Sequence, residues 1–339
     1  MGKVYATLTD LKCLAIAAVM LPAPLWAVET TSENFVTSAT LIQGNGGTGA
    51  RLSYFGLQMV SPLSFAGRVT GAGATTLVDS NATWSQDQFN GTNGFHYVEF
   101  DSGLKVDIFR TDSASKTLTL TNVAAPATVG NAYRIRKHLT VADVFGKNNE
   151  AGLTPGPNSA QADNVLLQIP QSQQILTFFY SNVPGFSGWY LDNYAPGAQV
   201  VIYPEAGLMV RNKSNRNVTV YLKGSAKEGA NLAPVFPGYN LLGTLKSQRS
   251  LKLSELNLYT GNPVTGVGPG GNPTAADNLI LIHPDGTTAA YFYSDVVGFQ
   301  GWYDTSFRTS SDVLVPAGSA FFVQRKAPRA AFYWTVPAE

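Results

Sequence analysis

The sequence predicts an all-β protein with very little helix: two homologous β-sandwich-like modules in tandem, the first interrupted by a small inserted β-barrel or β-sandwich domain. Three observations carry that expectation. A long segment of the chain repeats at a nearly constant spacing. Short runs rich in Thr, Val and aromatic residues alternate apolar with polar positions, the period of a half-buried strand. Charged residues make up only 13% of the 339 residues, as suits sheets that bury one face against another.

The chain opens on an address. Residues 1–27 read as a secretory signal peptide: Lys3 and Lys12 form the basic n-region, Cys13 to Leu21 the apolar h-region, and Trp26-Ala27 the cleavage point after Pro22 and Pro24. The apolar run is far shorter than the ~20 residues of a transmembrane helix, so no transmembrane anchor is expected. Cleavage would remove Lys3, Lys12 and Asp10, taking 23 basic and 22 acidic residues to 21 of each. It would also remove the single cysteine, leaving a secreted chain without disulfide staples. The near-neutral balance excludes a strongly basic nucleic-acid binder. The remaining length exceeds what one hydrophobic core usually spans, so more than one domain is expected.

The first module takes residues 28–64 and 138–216, and the second takes 217–339. Residues 162–190 contain ADNVLL and LTFFYSNVPGFSGWY; residues 276–303 contain ADNLIL and AAYFYSDVVGFQGWY. Asp163 and Asp277 stand 114 residues apart, Trp189 and Trp302 stand 113 apart, and Leu139–Asp143 matches Leu251–Glu255 at 112. Each copy starts with a short helical turn, and Thr140-x-x-Asp143 provides a capping-box variant for the first. A fainter match joins Leu41–Leu52 to Tyr221–Leu232 at an offset of 180, which against 112 implies an insertion of about 68 residues. The inserted domain is placed at 65–137, where FAGRVT, TTLVD, FHYVEF, LKVDIFR, KTLTLTNV and NAYRIRK each read as a strand.

In this layout ATLIQG (39–44), NVTVYLKG (217–224) and AFYWTV (331–336) are equivalent junction strands. Nothing after the last of them matches GANLAPVFPGYNLLG, so the C-terminal module is expected to present an incompletely covered edge. Leu41, Ile42, Phe332, Trp334 and Val336 are the candidate assembly edges, with residues 331–336 of one copy pairing with 35–44 of another.

At ADNVLL, GWY, FPGYNLLG and YRIRKHLTVADVFG the chain resembles an uncharacterised family of secreted β-rich repeat proteins from verrucomicrobial-type bacteria. The resemblance covers most of the chain beyond residue 27 and implies an exported bacterial β-protein. It assigns no activity and no functional residues.

No motif supplies a catalytic constellation. Gly44-x-Gly46-x-x-Gly49 has the spacing of a dinucleotide loop, but alternating strand residues follow it and the equivalent assigned in the second copy is Gly224–Gly229, so it reads as a hairpin loop. His96, His138 and His283 are scattered, with no metal-binding spacing. No G-x-S-x-G elbow occurs. Asp163-Asn164 and Asp277-Asn278 read as turn residues before a strand, with calcium ligation as the alternative. Arg211–Arg216, Arg325–Arg329 and Arg134–Lys137 read as solvated turns, with polyanion binding as the alternative. No cofactor and no metal is expected. The repeated aromatics Phe179, Tyr180, Trp189 and Tyr190, with Phe292, Tyr293, Trp302 and Tyr303, read as module core, with stacking against a glycan as the alternative.

The sequence therefore leads to an exported, non-enzymatic structural or surface-assembly protein whose partners are copies of itself or cell-surface components. The alternative is an extracellular carbohydrate-binding or adhesive module using the GWY aromatics.

Overall fold

A computed structural model describes residues 35–337, apart from 48, 92–93, 122–126, 244–248 and 284. The expected leader lies outside the described residues. Among the described residues the fold is all-β in class, with 45% strand and 3% helix. Residues 33–339 form one compact unit around three large hydrophobic clusters.

Two antiparallel five-stranded sheets share one strand order. The first runs Phe186–Leu191, Gln174–Val183, Asn164–Ile169, Gly207–Asn212, Arg51–Gly56. The second runs Gly301–Asp304, Thr288–Ser294, Asn278–Ile282, Ala320–Arg325, Gly238–Gly243. Two short ribbons accompany each sheet. Leu139–Thr140 pairs with Val201–Ile202, and Leu251–Lys252 with Leu314–Val315. Phe35–Ile42 pairs with Val218–Ser225, and Leu232–Val235 with Phe332–Thr335. The helical turn Val141–Phe145 carries the expected capping box: Thr140 Oγ1 accepts the Asp143 amide and Asp143 accepts the Thr140 amide. Its counterpart is the single 3₁₀ turn Leu253–Glu255.

The pairing corrects the equivalence read from the offset of 180. The strand around Leu41-Ile42 and the strand NVTVYLKG are hydrogen-bonded partners, Leu41 opposite Thr219 and Ile42 opposite Val218. The strand that takes the place of Phe35–Ile42 in the second ribbon is Leu232–Val235, and Arg51–Gly56 corresponds to Gly238–Gly243. Alternating apolar strands resemble one another whether they are equivalent or adjacent, which is why the faint match misleads.

Between Gly56 and Leu139 the chain builds a third antiparallel sheet of seven strands, ordered Leu63–Arg68, Ala132–Lys137, His96–Phe100, Lys105–Asp112, Thr117–Leu120, Thr76–Val78, Gly71–Ala72. Its two edge strands are consecutive in the chain, joined through Val69 and Thr70, so the sheet curls around Trp84, Phe89, Val98, Leu118 and Ile135.

The two five-stranded sheets touch through Leu166 and Met209 on one and Leu241 and Ala320 on the other. Beside this patch the backbones approach closely. A Cβ on Gly243 would lie 2.6 Å from the Gly56 Cα, so the crossing requires glycine. The Gly56 amide donates to the Gly318 carbonyl, and the Gly243 amide donates to the Glu205 carbonyl, both at 2.9 Å. The contact is reciprocal: corresponding strands make corresponding bonds.

Each sheet is anchored by a buried aspartate just before its third strand. Asp163 accepts the amides of Thr154 at 2.7 Å and Lys213 at 2.6 Å. Asp277 accepts those of Gly268 at 2.6 Å and Lys326 at 2.8 Å. The carboxylates thus serve as turn ties, as their Asp-Asn context suggests. The ammonium of Lys213 sits against the carbonyls of Ser159, Ala160 and Ala162, and that of Lys326 against those of Pro273 and Thr274. The basic segments expected to be solvated turns are therefore partly spent inside the fold. Loop carbonyls that lack a sheet partner draw these donors inward.

Candidate functional site

Successive residues of a strand point to opposite faces, and this divides the repeated aromatics. Trp189 and Trp302 point inward and are buried in the first and second hydrophobic clusters. The Trp189 indole donates to the Gly146 carbonyl at 2.7 Å. Tyr180 and Tyr293 lie half-buried against these indoles, edge-on at 5.4 Å and 5.7 Å. Phe179 and Phe292 face the other way, yet neither reaches solvent. Phe179, Trp189, Phe292 and Trp302, for which glycan stacking was the alternative to a core role, are buried and present no free ring face.

Phe179 and Phe292 are covered by the half-buried Tyr190 and Tyr303 and by the exposed Tyr194 and Phe307. Tyr190 lies over Phe179 at 6.3 Å, inclined 35°, and Tyr194 meets it edge-on at 5.7 Å. Tyr303 lies over Phe292 at 6.2 Å, inclined 33°, and Phe307 meets it edge-on at 5.7 Å. Phe186 extends the first group, its ring 6.0 Å from Tyr190. The result is one aromatic platform on the outer face of each sheet, built on a buried Phe.

Tyr194 and Phe307 were not among the residues singled out from the sequence. Each closes a tight turn, Tyr194 N donating to the Leu191 carbonyl and Phe307 N to the Asp304 carbonyl. Both have left-handed backbones, with φ of 63° and 62°. Such a position normally takes Gly or Asn, and a bulky side chain there costs about 1–2 kcal/mol. Both rings nevertheless remain 52% and 58% exposed, so core burial does not explain them. The recurrence of an aromatic at the same place after GWY was the available signal.

The surroundings are polar, with charge at the exposed Asp192 and in the Asp304–Arg308 pair. Asn182, Ser187 and Asn193 are exposed around the first platform, and Thr305 and Ser306 beside the second. Asp304 is held below the usual carboxylate range, first by the Arg308 amide and also by its guanidinium at 2.7 Å.

The assembly residues lie elsewhere. Ile42, Phe332, Trp334 and Val336 are buried within the chain's own cores, and Trp334 donates its indole N–H to the Leu256 carbonyl at 2.6 Å. Only Leu41 is exposed, at 54%. The strands expected to join separate copies are already paired, Phe35–Ile42 with Val218–Ser225 and Phe332–Thr335 with Leu232–Val235. The C-terminal strand found its missing neighbour upstream in the same chain.

Among the described residues no group of three His, Cys, Asp or Glu side chains is placed to hold a metal ion. His96 contacts the Gly94 carbonyl and His138 contacts Asp107 at 2.9 Å. The Gly44–Gly49 loop leads into a strand, not into a helix that would receive a phosphate. A cleft of about 410 Å³ opens between the five-stranded sheets, lined by Tyr54, Ile175, Tyr239, Ile280 and Phe322 among others. No helix among the described residues is long and apolar enough to cross a membrane. Comparison with protein-family models, curated proteins and solved structures finds no match to this chain.

Proposed function

We propose that this protein is a non-enzymatic, extracellular carbohydrate-binding or adhesive module whose two aromatic platforms stack against sugar rings. The observation that carries the reading is the pair Tyr194 and Phe307, exposed aromatics held in a left-handed turn at corresponding places. Backbone strain retained at a side chain that stays more than half exposed points to a functional position. The C–H face of a sugar ring is complementary to the negative face of an aromatic quadrupole. Neutral Asn, Ser and Thr side chains around the platforms suit hydroxyl groups. Placement outside the cell is part of the same reading and is supported by the charged and apolar pattern of residues 1–27.

The test is a glycan array, followed by retention on the glycans it identifies. The double variant Tyr194→Ala/Phe307→Ala is expected to keep its circular dichroism spectrum and lose retention. Equal retention by the folded variant, or no glycan bound by the wild-type protein, would overturn the proposal.

A further inference from the structure

Lys105, Glu205 and Asn231 meet where the seven-stranded sheet abuts the rest of the chain. Lys105 begins the strand Lys105–Asp112, Glu205 lies between Val201–Ile202 and Gly207–Asn212, and Asn231 immediately precedes Leu232–Val235. The Lys105 Nζ stands 2.5 Å from Asn231 Oδ1, 2.8 Å from the Leu232 carbonyl oxygen and 3.3 Å from Glu205 Oε2. Side-chain exposure is only 6% for Lys105 and 11% for Glu205, and Asn231 is fully buried. Asn231 Nδ2 has no hydrogen-bond partner, and Glu205 Oε2 has the ion-pair contact with Lys105 but no hydrogen bond. Buried polar atoms are ordinarily paired, and unpaired ones call for a chemical explanation.

This is a lysine amine held on an amide oxygen, one bond from the amide carbon, with a carboxylate beside the amine and all three side chains buried. Proximity of that kind replaces a bimolecular encounter by an intramolecular one, and a lysine released from its proton is a competent nucleophile.

We propose that Lys105 and Asn231 join in an intramolecular isopeptide bond, with Glu205 as the proton carrier. Glu205 takes a proton from the Lys105 ammonium, and the freed Nζ lone pair attacks Asn231 Cγ. The C=O electron pair moves onto Oδ1 as the Nζ–Cγ bond forms. Glu205 relays a proton from Nζ to Nδ2, the carbonyl re-forms, and the Cγ–Nδ2 bond breaks with loss of ammonia. In sum, one ammonium and one carboxamide become one secondary amide and one ammonium ion, and Glu205 returns as the carboxylate. No oxidant, metal or cofactor enters the balance.

The bond would close a loop between positions 126 residues apart and tie the inserted sheet to the strand that follows Asn231. None of the described residues is a cysteine, so no disulfide does this work. The neighbouring Lys227 is engaged differently, by Glu99 and the carbonyls of Glu228 and Ala230.

The decisive measurement is peptide mapping by mass spectrometry on the full-length wild-type protein, purified folded and then denatured. A branched peptide linking Lys105 to Asn231, lighter than its two components by one ammonia, is the expected result. Lys105→Arg, which keeps the positive charge, and Glu205→Gln are expected to yield the two separate peptides. Separate, unmodified peptides from the folded wild-type protein would overturn the proposal without reference to any variant. So would an ammonia loss that maps to another residue, or a branched peptide that persists in folded Glu205→Gln.

Discussion

The two five-stranded sheets solve one problem with different chemistry. In the first, Asp163 receives two backbone amides, and Asn212 stands on the neighbouring strand, donating to the Arg216 carbonyl and accepting from Ser214. In the second, Arg325 occupies the corresponding place. It donates to Asp277 at 2.7 Å and to the carbonyls of Gly266, Pro263 and Ala330, and its guanidinium lies 4.8 Å from the Phe332 ring centre. Arg329 adds a further bond to Asp277 at 3.0 Å. Tying the turn requires only the amides. The guanidinium, with five donors in a fixed fork, additionally holds the Pro/Gly-rich loop over residues 263–270. A buried charge then depends on its partner, so the second sheet carries a heavier penalty for losing either one.

That contrast can be broken directly. Arg325→Ala leaves the buried Asp277 with Arg329 as its remaining ion-pair partner and is expected to cost about 3–5 kcal/mol in urea unfolding. Trp189→Ala and Trp302→Ala are each expected to cost about 3–5 kcal/mol, since both indoles fill cores, and equality of the two would show that the cores differ less than the aspartate cradles. Asp163→Asn, which weakens two amide bonds without stranding a guanidinium, is expected to cost about 1–3 kcal/mol. If it matches Arg325→Ala, the extra cations of the second sheet contribute little. Tyr194→Asn is expected to change stability by less than about 1 kcal/mol, because Asn tolerates the left-handed turn, while glycan retention falls.

The smallest effect concerns the third sheet. Burial would raise the Asp107 carboxyl, but hydrogen bonds from His138 and Tyr203, with the charge of His138, bring its pKa below the ordinary value. A lowered folded-state pKa stabilises the fold above the unfolded value, near pH 4, and that contribution fades as the pH falls through the folded value. Tyr203→Phe removes one of these bonds, made at 2.7 Å, and is expected to shift acid unfolding to slightly higher pH. An unchanged midpoint would assign the acid response to other carboxylates.

Much of the fold was legible because a repeated unit repeats its core. The segments ADNVLL and ADNLIL became equivalent central strands, and the GWY segments became equivalent outer strands. The aromatic site was legible only in part. Period-two alternation separates Trp189 from Tyr190, but sequence alone leaves open which of them faces the core. Tyr194 and Phe307 escaped notice because an aromatic in a tight turn contradicts the usual turn chemistry. Strand pairing was harder still: ATLIQG looked like NVTVYLKG because partners on one apolar ribbon carry the same alternation. Lys105 and Asn231 lie too far apart for any local pattern to join them.

The Gly56–Gly243 crossing has a consequence of another kind. Each of the two strands gives an amide to the segment facing it, and each receives the other at a glycine. Such self-complementary contact is the signature of isologous association between identical subunits. Here both partners lie on one polypeptide, so the association is intramolecular and does not weaken on dilution. A side chain at Gly243 would act like a dimer-breaking substitution, with the difference that the dissociated halves could never diffuse apart.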